Sequence, residues 1–379
     1  MTLAEIMFCL IRNEITGEAL PDNIEYDVDK LIGLSKRHDL AHLVSDALIR
    51  NGIINEKSSD YKNVKKLKLI AIYREVQRAQ AYQEIASVFS EANIQYVPLK
   101  GLLIRDMYPQ AWMRSSCDID ILVHENDLKK AAELLVNAGF TTDGKKTYHD
   151  MSFFKAKVHL ELHHNICEDN EQIDRLLSKV WDHVEPVNGI ECKETKDYFV
   201  FHHVAHMFYH FIGGGCGVRP FLDLWIMNKC GLCDSENLML LLEATQLIKF
   251  YNVIREICGI WFEGKERTDI AASVERFILK NGVYGTSDMS SRSLIIRKNG
   301  KIRYIFSLVF PPYNEMCINY QILKKHCLLL PAFYFVRIIQ KIFGKDRNKN
   351  KNRLITTLEQ TQEDVSEMKK LFDAIGYKI

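Results

Sequence analysis

Asp118 and Asp120 stand two residues apart in the run Asp118-Ile119-Asp120-Ile121-Leu122-Val123. In a strand, residues i and i+2 share a face. The alternation therefore predicts a strand with both carboxylates on one side and Ile119 and Ile121 on the other. Two carboxylates held close together repel unless a cation sits between them. Hard oxygen ligands of this kind suit Mg²⁺, which takes one or two carboxylates and fills its shell with water and substrate phosphates. A second alternating run, Val158-His159-Leu160-Glu161-Leu162-His163, places His159, Glu161 and His163 on one face. Paired beside the first strand, it would bring Glu161 in as a third carboxylate. Three carboxylates on two strands can serve a two-metal phosphoryl-transfer site.

Further residues could serve the same chemistry. Val97-Pro98-Leu99-Lys100-Gly101-Leu102 reads as strand, tight turn, helix. Gly101 would let a phosphate approach a helix N-terminus, where N–H groups and the dipole favour anions. Lys100 adds a point charge for phosphate oxygens. Arg114, four residues before Asp118, is a candidate bidentate contact, with a structural ion pair as the alternative. His163 is read as packing beside Glu161 rather than facing a metal. His202, His206 and His210 share one helix face, with no acidic partner in that run, and are read as hydrogen-bonded or solvated. Cys230 and Cys233 form a lone C-x-x-C at an expected helix end, without the second ligand pair of a zinc site. The glycine run 213–217 lacks a preceding strand and a following Lys-Ser/Thr, and is read as a flexible loop between helices.

The elements that must position these groups follow from periodicity. Residues 1–92 read as helical, with a long helix over 61–92. Then come a strand at 94–99, a helix at 102–107, the acidic strand 118–123, and a helix at 126–138 closed by Gly139. Strands at 148–154 and 158–163 follow and are spaced to form a hairpin. From 197 onward helices are expected at 198–211, 220–230, 236–259, 269–279, 301–310 and 314–343. A polar basic segment, 344–353, precedes a last helix at 354–375. The fold class expected is α+β, a small mixed-sheet core flanked by N-terminal and C-terminal helical regions. The divisions expected are 1–93, N-terminal helical region; 94–195, core; 196–343, helical domain; and 344–379, basic linker and final helix.

Composition bounds the rest. The 379 residues include 50 Lys and Arg against 49 Asp and Glu, a net charge of +1, with 47% hydrophobic residues. That excludes a disordered chain and gives no global pull toward nucleic acid or anionic membrane. The ten cysteines are scattered, and the N-terminus lacks a basic stretch before a long apolar run. Reduced thiols in a cytoplasmic protein are expected. The longest apolar stretch, 327–339, is shorter than the roughly 20 residues of a spanning helix. Segment 328–353 joins apolar and aromatic residues to Lys345, Arg347, Lys349, Lys351 and Arg353. It is a candidate for membrane-surface contact or a nucleic-acid backbone. A core helix followed by a solvated linker is the preferred reading.

These motifs resemble the nucleotidyltransferase superfamily of the DNA polymerase β type, and within it a bacterial branch called uncharacterised nucleotidyltransferases. The resemblance rests on Pro98-Leu99-Lys100-Gly101, Tyr108-Pro109, Arg114, Asp118–Val123, Gly139-Phe140 and Leu160-Glu161-Leu162-His163. It extends to His206, His210, Arg219 and Leu222-Asp223, and so covers about residues 94–225. Lys-Gly replaces the superfamily's Gly-Ser or Gly-Gly, and Gly101 stands 17 residues before Asp118. Lys100 is the candidate substitute for the missing serine.

The resemblance implies an Mg²⁺-dependent enzyme that moves a nucleoside monophosphate from an NTP to an acceptor and releases pyrophosphate. Asp118 and Asp120 would bind two metals, and Glu161 would hold one of them and help deprotonate the acceptor. His206 and Asp223 would line the acceptor pocket. A small-molecule or protein acceptor is expected, because the neutral chain shows no basic groove. The alternatives are a toxin-type transferase acting on RNA or tRNA, and a non-catalytic nucleotide-binding module.

Overall fold

A computed structural model of the chain describes residues 1–21, 25–116, 118–168, 170–283, 285–344 and 347–377. Cys117 and Lys345 lie outside the described residues. Contacts divide the chain into two units, 1–209 with 217–275, and 210–216 with 276–379.

The first unit opens with four helices, α1 (Leu3–Thr16), α2 (Val28–Arg37), α3 (Ala41–Arg50) and α4 (Tyr61–Glu91). The core then runs β1 (Tyr96–Pro98), α5 (Gly101–Ile104), β2 (Asp118–Val123), α6 (Leu128–Asn137), β3 (Asp150–Lys155) and β4 (Val158–His163). It continues through α7 (Glu171–Leu177), β5 (Val184–Asn188) and β6 (Glu191–Glu194) to α8 (Lys196–Gly213). Helices α9 (Arg219–Lys229), α10 (Glu236–Ala244) and α11 (Ile248–Glu263) complete this unit, and α12 (Asp269–Asn281) begins in it.

The six strands form one mixed sheet in the order β3-β4-β2-β1-β6-β5. β2 pairs parallel with β4, and β1 parallel with β6, while the other pairs are antiparallel. The α+β mixed-sheet core flanked by helical regions is thus present, with β5 and β6 in addition to the expected strands. Ile119, Ile121 and Val123 of β2 pack with Leu160 and Leu162 of β4 against Ile85 and Phe89 of α4 and Ala131 and Leu135 of α6. The apolar half of each alternating strand is therefore sealed beneath helices, which leaves the polar half of β2 and β4 on the opposite face. Gly139 closes α6 with φ of +89°, the left-handed turn its position required.

The second unit holds α13 (Ser287–Arg297), α14 (Lys301–Val309), α15 (Tyr313–Asn319), α16 (Leu330–Phe343), α17 (Arg347–Glu359) and α18 (Gln362–Ala374). Four expectations change here and just before it. The helix expected at 236–259 is two helices, broken where Gln246 adopts φ of +58°. The helix expected at 314–343 is also two, separated by 3₁₀ turns at Gln321–Lys324 and Cys327–Leu329, with Pro331 opening α16. Most of the basic segment lies inside α17 rather than in a linker. The glycine run is not a loose loop either. A Cβ on Gly214 would lie 2.9 Å from the Ser290 amide nitrogen, and one on Gly215 would lie 2.7 Å from the Gly285 Cα. Those glycines permit backbone contact within the second unit. No helix among the described residues is long and apolar enough to cross a membrane, and every described cysteine is a free thiol.

Candidate active site

Parallel pairing of β2 with β4 sets Asp118 opposite His159 and Asp120 opposite Glu161. Residues that share a face on adjacent strands are thereby stacked. The result is two overlapping donor groups, Asp118–His159–Glu161 and Asp120–Glu161–His163. Within each, one ligand atom per residue lies within 4.8 Å of the others. His163, read from the sequence as packing beside Glu161, faces the carboxylates. Its Nε2 donates to Asp120 Oδ1 at 3.2 Å and lies 3.7 Å from Glu161 Oε2.

The charges show what the cluster lacks. Burial raises the Asp118 carboxyl above its usual range, and the neighbouring charges of Asp120 and Glu161 add to this despite a 2.8 Å hydrogen bond from Ser116 Oγ. Burial alone would raise Asp120 too. The hydrogen bond and charge of His163, with the charge of Lys100, reverse that and hold Asp120 well below the usual range. Burial would lower His163, but hydrogen bonding to Asp120 and Glu161 lifts it to about 9. A protonated imidazole thus supplies part of the positive charge that three carboxylates demand. The oxygen-rich donor set, with one carboxyl still biased toward protonation, fits a divalent cation.

The Lys-Gly turn reaches the same place. Lys100 adopts φ of +41°, ψ of −105°, a strained conformation for a residue with a side chain. Its ammonium lies 3.0 Å from His206 Nδ1, which itself donates to Glu168 Oε1 at 2.5 Å. A Cβ on Gly101 would come within 2.8 Å of Arg114 Nη1 and 3.5 Å of Ser116 Oγ. Gly101 is therefore where the turn presses against the loop that leads into β2. The helix it opens has only four residues. Its macrodipole is correspondingly small, so the dipole contribution expected for phosphate is lost.

Arg114 takes the structural ion-pair alternative, and Asp223 is its partner. The Arg114 guanidinium forks onto Asp223, with Nη2 2.9 Å and Nε 3.3 Å from Oδ2. Tyr108 donates to the same carboxylate at 2.7 Å. Asp223 is fully buried, so it lines no pocket. Burial opposes its ionisation, but Arg114 holds its carboxyl below the usual range. The pair ties the loop before β2 to α9 rather than presenting a free cation. His202 is likewise structural, with Nδ1 donating to the buried Glu194 at 2.8 Å.

A family model described as uncharacterised nucleotidyltransferase matches residues 25–263, more than half the chain. The chain belongs to that family. The matched range of this nucleotidyltransferase-family chain takes in the whole sheet, the acidic cluster, Lys100, Arg114 and Asp223. Membership is consistent with the wider polymerase-β-type superfamily. No curated protein and no solved structure matches the chain.

Two residues at the site escaped the sequence reading. Ser116 lies two positions before Asp118, and that spacing was its only signal. Glu168 meets His206 from 38 residues away, in a segment with no periodic pattern, so nothing local marked it.

Proposed function

We propose that the chain is an Mg²⁺-dependent nucleotidyltransferase that moves a nucleoside monophosphate from an NTP to a small-molecule or protein acceptor. The supporting observation is the β2–β4 register, which gathers Asp118, Asp120 and Glu161 at one place inside the family-matched range. Those three carboxylates would hold two Mg²⁺ ions. When bound, the ions would neutralise the triphosphate and stabilise the charge that develops on the transferred phosphoryl group. Lys100 holds a phosphate oxygen, and Ser116 Oγ orients Asp118 beside the turn at Gly101. Glu161 takes the acceptor's proton as the acceptor oxygen forms its bond to the α-phosphorus. The bond from that phosphorus to pyrophosphate breaks, and pyrophosphate leaves. His206, whose Nδ1 lies beside both Lys100 Nζ and Glu168 Oε1, lines the acceptor pocket.

Thermal unfolding against ATP, GTP, CTP and UTP, with and without Mg²⁺, tests this reading, because a ligand of the folded state raises the melting temperature. A shift that requires both an NTP and Mg²⁺, and vanishes in Asp118→Asn/Asp120→Asn, is expected. Pyrophosphate release in the presence of a cell-extract acceptor pool separates an enzyme from a nucleotide-binding module. No shift with any nucleotide would overturn the proposal.

A further inference from the structure

We infer that the α14–α16 region of the second unit is a docking surface for an anionic lipid bilayer. Residues 301–353 contain eleven Lys and Arg against two acids, Glu315 and Asp346, in a chain whose total charge is +1. The positive charge is therefore concentrated here and balanced by acids elsewhere. The same stretch holds α16, more than half of whose residues are exposed. α16 reads Leu-Pro-Ala-Phe-Tyr-Phe-Val-Arg-Ile-Ile-Gln-Lys-Ile-Phe, and none of its fourteen residues is buried.

The exposure has a pattern. Phe335 (72% exposed), Ile339, Ile342 and Phe343 (77%) recur at i, i+4, i+7 and i+8. That spacing is one face of a helix. α14 with its C-terminal cap repeats it, with Ile302, Phe306 and Phe310 exposed at i, i+4 and i+8. The two helices are tied together. Lys341 Nζ donates to Leu308 O at 2.7 Å, Tyr334 OH donates to Pro311 O at 2.7 Å, and the Phe310 ring packs edge-on against Tyr334. Two neighbouring apolar stripes in water are unfavourable unless something covers them.

Charge selects the cover. A 14-residue helix is too short to span a bilayer of about 30 Å, but an amphipathic helix with basic flanks lies in the headgroup plane. Arg303, Lys324, Lys325 and Lys351 are exposed beside these stripes in sequence, and each base near an anionic surface strengthens attachment. A second copy of the chain would bring like charge against like charge. A nucleic-acid backbone would use the bases and leave the aliphatic side chains in water.

Vesicle flotation of the full chain tests this. Binding to phosphatidylcholine vesicles with about 30 mol% phosphatidylglycerol is expected at low salt, weaker by roughly tenfold or more at high salt and over pure phosphatidylcholine. Phe335→Ser/Ile339→Ser should abolish flotation while leaving the melting temperature unchanged, since both side chains are exposed. Lys324→Glu/Lys325→Glu should weaken it without loss of fold. Three results would overturn the proposal. One is equal binding to neutral vesicles. Another is no flotation at low salt, with light scattering showing a dimer that Phe335→Ser/Ile339→Ser makes monomeric. The last is salt-sensitive RNA binding without vesicle binding.

Discussion

Arg114 and Asp118 are four residues apart, yet their charges are answered in different ways. Arg114 meets Asp223 through a buried fork that Tyr108 completes, and the charges there balance. Asp118 joins Asp120 and Glu161; His163 and Lys100 offset Asp120, and the charge of Arg219 does not keep Asp118 from standing above its usual range. A balanced buried pair is architecture, because every charge already has its partner. An acidic cluster short of positive charge is poised for a ligand that brings some. Residue type alone does not separate the two cases; the local sum of charge does.

The largest expected effect breaks the deficient cluster. Asp118→Asn/Asp120→Asn should lower nucleotidyl transfer on the order of a hundredfold or more, measured by pyrophosphate release. Asp118→Asn alone should raise the metal-free melting temperature, because it removes a charge that burial and Asp120 both oppose. Should that variant be less stable without metal, the cluster is not charge-deficient. Breaking the balanced pair should act in the opposite direction. Asp223→Asn leaves Arg114 charged and buried with one oxygen acceptor fewer, and should cost about 3–5 kcal/mol in chemical denaturation.

The contrast also explains what could be read from the sequence. The acidic strand and its partner were legible because each alternates apolar and polar residues over six positions, and the shared face follows from the period. β5 and β6 were not, because Val184–Asn188 is half or fully exposed along its length and carries no alternation. Arg114 and Asp223 are 109 residues apart, so their pairing is a product of the fold that no local pattern encodes. Likewise, α17 is helical through a run of Asn, Lys and Arg that has no apolar face to announce it.

A third cluster sits between the two extremes. Glu14 and Asp46 face Arg50 and Lys68, with Glu14 3.3 Å from Arg50 Nη2 and Asp46 2.6 Å from Lys68 Nζ. Acids and bases match in number, yet burial, then the charge of Asp46, pushes Glu14 up to about 8. Its folded-state value is raised above the unfolded value of 4.5, so the native chain keeps a proton that the unfolded chain releases. That stabilisation is complete below pH 4.5 and is lost as pH rises toward about 8. The slope is at most about 1.4 kcal/mol per pH unit. Glu14→Gln should flatten stability over that window, measured by denaturation at successive pH values. An unchanged slope would show that Glu14 is ionised and that its cluster is balanced in the manner of Arg114.

The smallest effect belongs to the exposed counterpart of the buried fork. Arg219 Nη1 lies 2.6 Å from Asp39 Oδ2, and both side chains are part-exposed, 21% and 36%. The same guanidinium is 3.3 Å from Ser115 O, in the loop that carries Arg114. Water screens such a pair, so Asp39→Asn should cost no more than about 1 kcal/mol, against several for Asp223→Asn. Arg219 also lies close enough to favour ionised Asp118. Freed from Asp39, its charge should act more fully on the acidic cluster. A small stability loss joined to an unchanged requirement for Mg²⁺ in the nucleotide-induced melting shift would place Asp39 in the scaffold. A loss as large as that of Asp223→Asn would mean that burial does not distinguish the two pairs, and the contrast between balanced architecture and a charge-deficient site would have to rest on the carboxylates alone.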